Sequence, residues 1–169
     1  MRVFLRPALG LALLAAILLA PAAMAEQQAR PRKLGEFQDW IAATYTEGGQ
    51  KVCYAFARTK RSGVLLTVTH RPSARDTVTV TAGYTYPRNA EPTAVVGGTD
   101  LPLYTAGSTA AARDGAAAVR AFRGGRDAVL RGPGANGRGT VSDSFSLSGF
   151  TAAYEAISKE CPPGGSAHR

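Results

Sequence analysis

Two cysteines, two histidines and a surplus of arginine are the residues of this chain with chemistry to offer, and their spacing limits what that chemistry is. Cys53 and Cys161 have no C-x-x-C spacing and no histidine beside them, so a redox or nucleophilic cysteine is the weaker reading. An even cysteine count in an exported chain favours one intramolecular disulfide between them. His70 closes the segment Val68-Thr69-His70-Arg71-Pro72 and would act as a general base only with a nucleophile and an orienting acid folded against it. No G-x-S-x-G accompanies it. His70 is therefore expected to pack or hydrogen-bond, and His70 with Arg71 is kept as a candidate binding position. His168, the other histidine, lies in the C-terminal tail, which leaves no histidine-rich metal site within one chain. No catalytic residue, metal or cofactor is expected. The alternative is a periplasmic hydrolase or redox enzyme using His70 or the cysteines.

Arginine grips phosphate and carboxylate with two parallel hydrogen bonds, so arginine-rich stretches are candidate anion sites. Arg120, Arg123, Arg126 and Arg131 form the densest stretch, and Arg58, Lys60 and Arg61 a second. The plainer reading of each is a solvated charged face. Gly132-Pro-Gly-Ala-Asn-Gly137 fits G-x-G-x-x-G, but that fingerprint needs a helix N-terminus after it, and here a strand pattern follows. A hairpin loop is the better reading, with Asn136-Gly137 as its turn signal.

The elements that must position these residues are mostly short strands. Period-two segments run over 40–46, 52–57, 64–70, 77–83, 93–96 and 101–105, divided by turn residues such as Glu47-Gly48-Gly49 and Arg71-Pro72-Ser73. In Thr77-Val-Thr-Val-Thr-Ala82 the valines and the alanine face one way and the threonines the other, the pattern of a strand with one face on a core. Strand spacing near a dozen residues suits a sandwich or a barrel. Asp114 to Phe122 reads as a short inserted helix, begun by an acid and stopped at Gly124-Gly125, with Val119 and Phe122 inward. A closing strand pair follows over 126–131 and 139–147. Phe150, Ala153, Tyr154, Ile157 and Cys161 then form one helical stripe, with Ser148 placed to cap it. A Cys53–Cys161 bridge would staple this terminal helix to an early strand.

Length and charge bound the rest. The 169 residues suit one domain. Residues 1–25 carry Arg2 and Arg6, the apolar run from Leu9 to Ala20, and the small-residue ending Ala23-Met-Ala25, which is the pattern of a secretory signal peptide. The run is shorter than the ~20 apolar residues that span a bilayer, so no integral membrane span is expected after cleavage. Residues 26–33 read as a flexible basic leader, 34–161 as a single β-domain, and 162–169 as a disordered tail. The whole chain carries a net charge of +8 and, without Arg2 and Arg6, +6. Exported to the periplasm, with the outer membrane or secretion as the alternatives, such a protein meets anionic polymers and acidic proteins of the envelope rather than nucleic acid. The expected partner is an envelope protein or an anionic envelope polymer.

These segments resemble, in order, the invasion-associated locus B family of exported proteins of Gram-negative bacteria. The resemblance lies in Phe37-Gln-Asp-Trp40, Lys51-Val-Cys-Tyr-Ala55, Val68-Thr-His-Arg-Pro72, the Ala-Gly-Tyr ending at Tyr84, Arg138-Gly-Thr140, and the block from Asp143 to Ile157 with Cys161. Family members usually carry glycine where Gln38 stands here. The resemblance implies an immunoglobulin-like β-sandwich with a C-terminal helix, and an envelope protein whose pathogen members are associated with host-cell entry. It implies no catalytic residues. With no catalytic constellation in the sequence, the expected role is a non-catalytic binding or envelope-maintenance module.

Overall fold

The computed structural model of the chain describes residues 30–164. The signal peptide expected over 1–25, the first part of the leader and residues 165–169 lie outside the described residues. Glycine turns set the first ladder. Gly48 and Gly49, both at positive φ (55° and 77°), make the tight turn that carries β2 (Trp40–Glu47) into β3 (Gln50–Arg58). β4 (Leu65–His70) and β5 (Thr77–Thr81) follow, each antiparallel to the strand before it. Alternation decides which side each residue takes: Val78 and Val80 are buried while Thr77, Thr79 and Thr81 stay half-buried on the other face.

All ten strands join one antiparallel sheet in the order β1-β2-β3-β4-β5-β8-β7-β6-β9-β10, which meets the expectation of an all-β fold with an inserted and a C-terminal helix. The strand that lets the sheet turn on itself is β7 (Thr99–Ala106). Its first half pairs with β6 (Thr93–Val96) and its second half with β8 (Thr109–Ala112). Beyond β6 come β9 (Asp127–Pro133) and β10 (Thr140–Ser146). Leu66 and Val78 from one layer, Leu130 and Phe145 from the other, and Leu103 and Phe122 between them close on a void of only about 10 Å³, too small to weaken the packing.

Two strands escaped the sequence pattern. β1 (Arg32–Phe37) begins inside the segment expected to be a flexible leader, and a register shift between Lys33 and Gly35 breaks the alternation that would have announced it. β8 is Thr-Ala-Ala-Ala, with no β-branched signal beyond its first residue, and exists because its neighbours β5 and β7 hold it.

Helix α1 (Gly115–Gly124) starts as expected, with the Asp114 carboxylate accepting the Ala117 N–H at 2.8 Å, and buries Val119 and Phe122. Helix α2 (Phe150–Glu160) lies on the inner face of β1, β2 and β3. Its cap differs from expectation: Gly149, not Ser148, is the N-cap, no side chain caps it, and the Ser148 hydroxyl instead meets the Gln38 amide oxygen. Gln38 itself stands at φ 54°, in the left-handed region that favours glycine, the residue that the resemblance leads one to expect there. Trp40 is fully buried beneath α2, edge-on to Phe150, and donates its indole N–H to the Ser146 carbonyl at 3.0 Å.

Candidate functional site

His70 ends β4 on the inner face, directly opposite Cys53 on β3 and beneath α2. Cys53 is bridged to Cys161, with 6.0 Å between the Cα atoms, so the disulfide joins helix and strand as its stripe position suggested. Around His70 the fold gathers Ser158, Asp76 and Tyr154. The Asp76 backbone N–H points at Nδ1 (3.3 Å), which assigns the ring proton to Nε2, and Nε2 then donates to Ser158 Oγ (3.2 Å). A serine nucleophile needs the reverse: Nε2 free to take its proton and Nδ1–H held by a carboxylate. The Asp76 carboxylate lies 3.6 Å from Nδ1 and accepts from the Tyr154 hydroxyl at 2.7 Å instead. Burial, helped by nearby Arg75 and opposed by Asp76, lowers the His70 pKa to about 4, so the ring is neutral at physiological pH. This cluster packs α2 and orients no nucleophile.

The arginines of the first stretch sit on a helix, a connection and a strand. Arg120 and Arg123 lie exposed on α1, three residues apart, and the Arg123 guanidinium sits 4.8 Å over the Tyr154 ring. Arg126 precedes β9, and exposed Arg131 lies five residues further along extended chain, roughly 16 Å away at ~3.3 Å per residue. Arg71 donates to Glu47 Oε2 at 3.2 Å. Arg61 of the second stretch is engaged internally: it forms a two-pronged ion pair with buried Asp143 on β10, linking the two layers, and lies 5.7 Å over the Tyr84 ring.

One surface left open among the described residues is the outward face of β2–β5. Register places Tyr54 beside Thr69, Phe56 beside Thr67 and Arg58 beside Leu65 across β3 and β4, and Thr69 and Thr67 beside Thr77 and Thr79 of β5. Tyr45 closes one end, with its ring 5.7 Å from that of Tyr54, and the Tyr54 and Phe56 rings lie 6.0 Å apart and nearly parallel. The residues named on β2, β3 and β4 line an open groove of about 420 Å³. Burial, and Tyr45 beside it, push the Tyr54 phenol up, so it stays a neutral donor. No hydrogen bond joins the Thr67, Thr69, Thr77 or Thr79 hydroxyl to another described residue. No buried side-chain polar atom among the described residues is left unpaired, so these hydroxyls reach solvent, that of Thr69 from a residue that is otherwise buried. The Arg58 guanidinium sits 4.9 Å over the Phe56 ring, with no acidic partner among the described residues.

A family model described as Invasion associated locus B (IalB) protein matches residues 40–158. The chain belongs to the invasion-associated locus B family. The match runs from buried Trp40 to Ser158, the partner of His70, and so takes in the whole outward face of β2–β5. The chain is also similar to the crystal structure of invasion associated protein B from Bartonella henselae, at a TM-score of 0.55 and 17% identity, covering 76% of this chain and 96% of that one. At that identity the likeness shows a shared fold. No curated protein matches the chain.

Sequence reasoning placed the disulfide of this family member and the inward role of His70, but missed its open face. The signal was present: Tyr54, Phe56 and Arg58 alternate with Cys53, Ala55 and Ala57, and the threonines of β5 alternate with valines. What could not be read was that three neighbouring strands bring those outward residues into one groove.

Proposed function

We propose that the protein is an exported, non-catalytic envelope protein that works by binding a partner through the outward face of β2–β5. The observation that carries this reading is that face: a sheet surface with three aromatic rings, a row of unpartnered hydroxyls and an uncompensated arginine, with no layer of the described chain above it. A concave surface with few, well-placed polar groups is the usual form of a binding site. The signal-peptide pattern of residues 1–25 and the disulfide both favour an oxidising compartment, with the periplasm as the proposed location. The neutral, tautomer-locked His70 and the bridged cysteines disfavour the hydrolase and redox alternatives. The groove is preferred to Arg120, Arg123, Arg126 and Arg131 as the binding surface because it joins aromatic rings, hydroxyls and a guanidinium on one face.

Site-specific photocrosslinking in living cells tests this. A photoreactive residue at Thr67, in the groove, should give a reproducible adduct, and one at Arg131, on the outer face of β9, should not. Equal labelling at both sites, or none at Thr67 in correctly exported protein, would overturn the reading.

A further inference from the structure

We propose that the groove along β3 and β4 holds an acidic glycan, a short chain of sugar units bearing a carboxylate. Its apolar ring faces would lie against Tyr54 and Phe56, its hydroxyls on Thr67 and Thr69, and its carboxylate on Arg58. This rests on the binding-face reading above and names the ligand class for that face.

The backbone excludes one common mode of recognition. β3 is hydrogen-bonded to β2 and β4, and β4 to β3 and β5, so the groove floor has no free strand edge and an extended peptide cannot be added to it as a further strand. Recognition falls to side chains. Thr67 and Thr69 form the floor, with Thr79 and Thr77 beside them, and their hydroxyls both donate and accept. A wholly apolar partner would strip water from that row and return no hydrogen bonds. A sugar ring has the matching two-sidedness, with C–H faces for the aromatic wall and hydroxyls for the threonines.

Charge selects among sugars. Arg58 is the charged residue lining the groove, and its guanidinium lies against the Phe56 ring at 4.9 Å, which holds it in place while its N–H groups remain to grip a carboxylate. Arg71 at the opposite end is already paired with Glu47. That pairing also argues against a second copy of this chain: the face would present Arg58 to itself with its own acid already engaged. One uncompensated cation is too few for an anionic lipid surface, which needs a polybasic cluster or inserted apolar side chains.

Calorimetric titration of the purified exported protein with trigalacturonate, and with the same sugar after carboxyl reduction, provides the test. The acid form should bind about tenfold more tightly than the neutral form, the value of one charge-assisted contact, and that preference should shrink with added salt. Arg58→Gln should abolish the preference, bringing the affinity of the acid form down to that of the neutral form. Thr67→Val should weaken both sugars with an unchanged thermal midpoint, and Arg131→Gln should change neither. No binding of either sugar, an acid preference that survives Arg58→Gln, or binding to anionic phospholipid vesicles in place of sugar would overturn the proposal. A protein adduct at Thr67 in cells without trigalacturonate binding would end the glycan assignment and leave the binding face standing. Loss of both would end both.

Discussion

A buried histidine that accepts a backbone N–H ties the stability of this protein to pH. The folded-state pKa of His70 is lowered to about 4 from 6.5. Above pH 6.5 the ring is neutral in both states; as pH falls, the unfolded chain takes up a proton that the folded chain refuses, and stability declines. Between pH 7 and 5 the loss should be about 2 kcal/mol, rising toward about 3 kcal/mol near pH 4. Glu160, whose pKa is lowered chiefly by its hydrogen bond from Lys51, adds its own loss in the carboxylate range, so the upper window isolates the histidine. Urea unfolding at pH 7 and pH 5 should show this slope in the natural protein and a nearly flat response in His70→Gln. An equal slope in both would mean that His70 is not buried neutral. Spacing marked His70 as a packing residue, but its partners Ser158 and Asp76 come from elements 88 and 6 residues away, and only folding names them.

At the scale of the element, α2 depends on how closely it can enter the sheet. Gly149 begins it at φ 86°, and a Cβ there would lie 1.9 Å from the Phe37 carbonyl oxygen of β1. Gly149→Ala should therefore destabilise by at least about 2 kcal/mol, combining the left-handed conformation with a backbone clash. Gly124, in the last turn of α1, has nothing within 4 Å of its added Cβ and no positive φ, and Gly124→Ala should be neutral or slightly stabilising. Chemical denaturation of the two variants checks the contrast, and equal effects would contradict the close approach of Gly149 to β1. The helix was legible from its apolar stripe. Its docking was not, because Ser148 offers the stronger capping signal in sequence while β1, the strand that sets the clearance, is hidden by its bulge.

For the whole molecule, the Cys53–Cys161 bridge ties the C-terminal helix to an early strand across a separation of 108 residues. Loop-closure entropy assigns such a bridge about 4 to 5 kcal/mol. Replacing both cysteines with alanine should lower the thermal midpoint by roughly 10 °C or more. Hydrogen exchange should then show α2 losing protection before β2–β5, since only packing and the side-chain contacts of Tyr154, Ser158 and Glu160 hold α2 once the bridge is gone. Simultaneous loss across the sheet would instead make α2 an integral part of one cooperative unit. The groove should outlast the helix in this variant, because its residues lie on the opposite face of the sheet from α2.

The sequence by itself determined the strand-rich class, both helices, the inward stripe holding Cys161, and the family, because each rests on local periodicity, turn chemistry or short motifs. Tertiary structure alone decided which charged residues are available. Arg61 belongs to a stretch that could grip anions and is committed to Asp143, 82 residues away, whereas Arg58, three residues earlier, has no acidic partner among the described residues and lies over the Phe56 ring. The four later arginines are a dense stretch in sequence and lie on a helix, a connection and a strand. Alternation tells which side of its own strand a residue takes. Which strands stand beside it, and hence whether its neighbours form a groove, an ion pair or open surface, depends on long-range register that no local window contains.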